Sequence, residues 1–244
     1  MPTSNIDNQR VNSLKMQDLV EDRSRFRDND IELLKTGQFS DAQMIVGDRV
    51  WKVHRSIVCL RSGFLNNALS GPSKVGKVKT VTIWNHTEKK VGLLLEFIYS
   101  GRIEGIDDFL PGQCVQLSML GEFFLVNGMV IYATKALWHK LNPFLQAVPA
   151  VLTNCNTRPS LYDVNLTLQR VTFELLFTTA VHKAYNGSSK TCQLILADFV
   201  WVARDWLLRD PIIEKLNTTF PLFGSHVLVT LIKGPQSSFP KTDG

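Results

Sequence analysis

FSDAQMIVGDRVWKVHRSIVCLRSGFLNNAL, residues 39–69, is the stretch whose reading decides the fold. Two short apolar runs, residues 42–46 and 50–53, flank Gly47-Asp48-Arg49. A Gly-Asp pair between strand-like runs favours a tight hairpin, because glycine adopts positive φ at no steric cost. Behind the hairpin, residues 56–60 form an apolar cluster of Ile57, Val58 and Leu60. Ser62 then stands where a hydroxyl caps a short helix carrying Phe64, Leu65, Ala68 and Leu69, and Gly71-Pro72 stops that helix. The pattern predicts a strand pair followed by two short helices.

Working outward, residues 80–84 alternate and put Val81 and Ile83 on one face of a third strand. Over residues 88–99, Val91, Leu94, Leu95 and Ile98 follow the spacing of an amphipathic helix. Ser100-Gly101 ends it, and residues 102–104 are a short extended piece. Leu117, Leu120 and Phe124 make one further helical stripe; Val130, Ala133, Thr134, Leu137 and Leu141 make another, with Asn127-Gly128 expected as the turn between them.

These blocks together resemble the BTB/POZ family, particularly the divergent BTB-domain proteins of filamentous fungi. The resemblance rests on Phe39-Ser40-Asp41 at the first strand, Val53-His54-Arg55 at the end of the second, and Arg61-Ser62-Gly63-Phe64 opening the second short helix. LLLEFIYSGRIEG, with Tyr99 and Gly101, and LGEFFLVNGMVIYATKAL, the family's closing helical pair, follow in order. It implies an α+β fold of the BTB/POZ type, a small β-sheet flanked by a helical cluster, over residues 31–141.

From residue 142 the chain changes character. Pro143, Pro149 and Pro159 suggest a linker over residues 142–162. Residues 163–233 are expected as a mostly helical C-terminal extension, with Phe173, Leu176, Phe177, Ala180 and Ala184 on one helical face. Residues 192–208 are apolar nearly all round, which suits a helix wrapped by others, and residues 221–232 are apolar without a clear period. Residues 1–30 are expected as a disordered leader and residues 234–244 as a disordered tail.

Composition narrows the function. The chain has 244 residues, 44% of them hydrophobic, which suffices for a sizeable core. Cys59, Cys114, Cys155 and Cys192 are far apart and lack metal-ligand spacing, so they read as free thiols in a reducing compartment. No apolar run reaches the length that spans a bilayer, and the polar first 30 residues do not resemble a signal peptide. The expectation is an intracellular protein, cytoplasmic or nuclear, without a membrane partner. The net charge of +5 divides as −1 over residues 1–38, +4 over 39–140 and +2 over 141–244. Lys74, Lys77 and Lys79 cluster without interleaved aromatics, which reads as a solvated loop and not as a direct nucleic-acid groove.

No nucleophile elbow, phosphate loop, dinucleotide fingerprint or paired metal ligands occur, so no catalytic, cofactor-binding or metal residue is assigned and no enzyme is expected. His54 reads as a core histidine bonding backbone at a strand-to-helix corner. Asp41 and Arg55 fall at one end of the hairpin; the resemblance implies a charged pocket there, and the alternative is an internal ion pair that orders the corner. The resemblance further implies protein binding through self-association or partner recruitment. Two roles follow from it: a substrate adaptor for a cullin-type ubiquitin ligase, and a nuclear transcription or chromatin regulator acting through partners. Cullin-recruiting members carry a hydrophobic-x-Glu element after the second short helix, whereas residues 71–79 contain no acid, which weighs against the first.

Overall fold

A computed structural model describes residues 29–70, 79–145, 147–148 and 163–237. The chain divides into two compact units, one ending at Ile103 and the other beginning at Glu104. The expected Gly71-Pro72 stop, most of the 1–30 leader, the basic loop with Lys74 and Lys77, and Cys155 lie outside the described residues.

The first unit opens with a helical segment over residues 29–36. Its sheet is built from β1 (Ala42–Val46), β2 (Arg49–Val53) and β3 (Lys79–Thr82) in the order β2-β1-β3. β1 and β2 form the antiparallel hairpin, with Gly47 at φ 57° in its two-residue turn, the left-handed conformation the sequence assigned to it. β3 pairs parallel to β1, Met44 opposite Val81. A parallel return needs a crossover, and α1 (Arg55–Arg61) and α2 (Gly63–Leu69) lie on that path. Ser62 caps α2 by accepting the Leu65 N–H at 3.1 Å, so Ser62→Ala is expected to cost about 1 kcal/mol in urea unfolding.

α3 (Glu88–Ser100) follows β3 and carries the unit's densest apolar face. Val91, Leu94, Leu95, Ile98 and Tyr99 are all buried. Thr87 caps its start, and Gly101 at φ 73° closes its end in the left-handed conformation. Arg61 adds a second closure that the sequence did not announce. Its guanidinium donates to the carbonyls of Ile98 at 2.5 Å and Tyr99 at 3.3 Å, and bonds Asp30 at 3.1 Å. Those carbonyls belong to the last helical turn, which lacks intrahelical donors.

The second unit is built from helices joined by short turns, after a 3-10 turn at Ile106–Asp108. It contains α4 (Pro111–Phe123), α5 (Asn127–Leu141), α6 (Asp163–Asn186), α7 (Lys190–Val202), α8 (Arg204–Leu207), α9 (Pro211–Thr219) and α10 (Pro221–Lys233). The turn between α4 and α5 is not Asn127-Gly128, as expected. It falls at Phe124–Val126, with Leu125 at φ 53°, and Asn127 already opens α5. Turn propensity pointed to Asn-Gly, but the close approach of the two helices at Gly121 sets the corner. A Cβ on Gly121 would stand 3.0 Å from the Val130 backbone nitrogen and 3.2 Å from the Met129 Cβ. Gly121→Ala is therefore expected to destabilise the hairpin by about 1–3 kcal/mol, read as a lower urea midpoint.

Residues 221–232, without a clear period, form a helix that Pro221 opens at the first position, where a missing N–H costs nothing, and that buries Phe223, Val227 and Thr230. The run 192–208 is interrupted at Ala203, which separates α7 from α8. One core fills this unit. Cys114, Val115, Leu137, Trp138 and Leu141 from α4 and α5 pack with Phe173, Phe177, Phe199 and Phe223 from the helices beyond. It therefore draws on both sides of Leu141, where the sequence reading put a boundary, and it includes Val148, inside the expected linker. At the other end, Gly234 to Ser237 begin the stretch expected to be a disordered tail. The backbone N–H groups of Gln236 and Ser237 donate to the two oxygens of buried Asp198, at 2.9 and 2.7 Å. Cys114 and Cys192 are free and buried and Cys59 is free and half-buried.

Candidate functional site

The resemblance put its candidate residues at the ends of the hairpin, and the structure gathers most of them at one corner of the first unit. His54 ends β2 and occupies the N-cap position of α1, but its ring gives α1 no cap because it is engaged elsewhere. Nε2 lies 2.5 Å from the Gln38 carbonyl and Nδ1 2.9 Å from the Tyr99 hydroxyl. A carbonyl only accepts, so Nε2 carries the proton and Nδ1 accepts the Tyr99 O–H. The Tyr99 oxygen in turn accepts the His54 backbone N–H at 2.9 Å. Every polar atom of this buried cluster is thus paired across the sheet-to-helix corner, and burial pushes the Tyr99 phenol up to about 12.

With His54 committed, the cap of α1 comes from 14 residues upstream. Asp41 accepts the Arg55 backbone N–H at 2.8 Å, a carboxylate on the first turn of a helix. What joins Asp41 and Arg55 is this cap; among the described residues their side chains form no ion pair. The Arg55 side chain lies against Cys59, one turn along α1, and its buried Nε has no hydrogen-bond partner among the described residues. Burial raises the Cys59 thiol pKa, and the neighbouring Arg55 charge opposes that rise.

The remaining motif residues are placed as follows. Ser62 and Tyr99 are buried, Gly101 is the left-handed end of α3, Phe64 is half-buried on α2, and Ser40 is half-buried beside Asp41. Phe39, the first motif residue, lies at the surface. It is 87% exposed and sits at φ 59°, a conformation that costs a bulky L-residue about 1–3 kcal/mol. Leu60 and Trp84 are exposed to a similar degree in the same unit. No group of three or more histidine, cysteine or acidic side chains among the described residues could hold a metal ion. No described helix is long and apolar enough to cross a membrane.

A strand hairpin, two short helices, a parallel third strand, an amphipathic helix and a helical hairpin follow one another in that order along the chain. Residues 31–140 match the family model of the BTB/POZ domain. They have the BTB/POZ fold. Among solved structures, the chain is similar to the BTB domain of zebrafish PATZ1, at 17% sequence identity and a TM-score of 0.39, with 48% of this chain and 91% of that one covered. No curated protein sequence matches the chain. The BTB/POZ domain is a protein–protein interaction module, so the chemistry to look for is that of surfaces.

Beyond the matched residues, the second unit leaves apolar side chains in water. Leu168, Val171 and Leu175 line one face of α6, and Leu228, Val229 and Ile232 line α10; all six are exposed. Arg170, beside the α6 stripe, is held at 3.0 Å by Asp210, whose other oxygen caps α9 through the Ile212 N–H at 3.0 Å. Sequence periodicity sees such stripes but cannot tell an outward one from an inward one. The reason is that α6 carries apolar residues on both faces, Phe173 and Phe177 inward and Leu168 and Leu175 outward.

Proposed function

We propose that this protein is a BTB/POZ interaction protein that recruits a protein partner, with the adaptor of a cullin-type ubiquitin ligase as the role to test first. The observation that carries the reading is the BTB/POZ match over residues 31–140. The continuous helical core that joins α4 and α5 to the C-terminal helices supports it, because it offers a second rigid surface on which a substrate could be held. The expected result is that a purified cullin N-terminal domain co-elutes with the full chain at micromolar concentration. Absence of co-elution at about 10 μM, near the weak end of useful regulatory affinities, would remove this role.

A second reading, a nuclear regulator assembled through partners, rests on the resemblance alone, because Asp41 at the corner is engaged as the cap of α1. It predicts nuclear enrichment of the tagged full chain. A purely cytoplasmic distribution would count against it. Self-association, the third route of partner binding, is read from the mass of the eluting species in the same experiment.

A further inference from the structure

β2 is the edge of the sheet, and along its outer side runs an open slot of about 690 Å³. The other wall of the slot is α3 at Gly92 and Glu96, and its end is formed by the helical turn carrying Lys35. Gly92 has open space where a side chain would stand, so α3 leaves the slot unobstructed at that level.

The backbone of β2 is oriented for pairing there. The two-residue loop makes Val46 and Arg49 a hydrogen-bonded pair, and the pattern alternates along an antiparallel ladder. Arg49, Trp51 and Val53 therefore spend their backbone groups on β1. Val50 and Lys52 aim theirs away from β1, on the side of the slot they line. The charge of the slot has a sign: Lys35, Arg49 and Lys52 line it against one carboxylate, Glu96. Two of the cations are held in place. The Arg49 guanidinium lies 4.8 Å from the centre of the Trp51 ring, and the backbone at Gly37 presses on the Lys52 stem, where an added Cβ would come within 2.8 Å.

From these features we infer that the β2 edge takes an extended, acidic peptide segment of a protein partner, added to the sheet as a strand. The peptide's main chain pairs with Val50 and Lys52, and its carboxylates meet Arg49 on one face of the sheet and Lys52 on the other, since the two side chains leave β2 on opposite faces. Cations on an edge strand also serve simply to keep other chains off. What separates the two roles is the slot beside the edge, which has room for a chain, and the half-buried Trp51 in its lining. The inference rests on the interaction role proposed above but on neither of its two pathways, so cullin binding measured as described survives the failure of this one.

The test uses the full chain and a fluorescein-labelled peptide with glutamates on both faces of its strand, Glu-Glu-Val-Glu-Glu-Val-Glu, about seven residues long at about 3.3 Å each. Fluorescence anisotropy is expected to show saturable binding. Binding should weaken about tenfold or more when the peptide is N-methylated at alternate residues, which keeps its charge and removes its donors. Val50→Pro, whose N–H faces away from β1, and the double change Arg49→Glu with Lys52→Glu should each weaken it to a similar extent, with melting temperatures checked in parallel. No binding of the parent peptide would overturn the inference. So would equal binding of the N-methylated peptide, or of a labelled oligothymidylate, because either would leave only an unspecific cationic patch.

Discussion

Replacing Phe173 by alanine is expected to cost the second unit about 3–5 kcal/mol, the range for deleting a fully enclosed aromatic ring. Phe173 is 1% exposed and stands at the centre of the aromatic packing. Its ring lies 5.3 Å from that of Phe177, 5.9 Å from Phe199, 5.3 Å from Trp206 and 5.4 Å from Phe144. Those four partners sit on four different segments, so the cavity left behind cannot close by the shift of one neighbour. Urea unfolding followed by far-ultraviolet circular dichroism reads the loss directly. Leu168→Ala, on the outward face of the same helix, is expected to change stability by less than about 0.5 kcal/mol. If the two substitutions had equal effects, the single core described for residues 104–237 would be wrong.

Tyr99→Phe is the second large expectation, at about 2–6 kcal/mol. The change removes one oxygen and leaves two buried groups without partners, the His54 backbone N–H and the His54 Nδ1. Each unsatisfied group costs about 1–3 kcal/mol, and the ring itself still fills its place. A pH signature distinguishes this from simple loosening. Burial raises the phenol from 10.0 to about 12, so the folded state favours the protonated form. That contribution is complete below about pH 10 and is lost as pH climbs through about 12. Wild-type stability should therefore fall with rising alkalinity by more than that of Tyr99→Phe, and the gap between the two proteins should narrow above pH 10. A gap that stays constant across this range would mean that Tyr99 is not held as the structure shows.

The hairpin was legible because its determinants are local. Gly47 needs a positive φ, and alternate residues of β1 face inward, so a window of a dozen residues contains the reason for the fold. Ser62 as a cap and Gly101 as a stop were legible on the same grounds. Arg61 was not, because its partners Ile98 and Tyr99 are reached only after α3 has folded back. The Asp41–Arg55 relation was half legible. Their proximity followed from the hairpin, but the choice between an ion pair and a helix cap depends on His54 being occupied by Gln38 and Tyr99, a fact held in tertiary contacts. The exposure of Phe39 was not legible either, since it goes with a left-handed backbone that no local motif announced. The slot along β2 escaped the sequence altogether, since it arises from three segments that meet only in the folded unit.

The continuity of the helical core past Leu141 has a practical side. A recombinant fragment trimmed where the family match ends would carry Cys114, Val115, Leu137 and Trp138 into water stripped of the helices that cover them. Such a product would clump on expression and be mistaken for a poor folder, when the fault lay with the scissors.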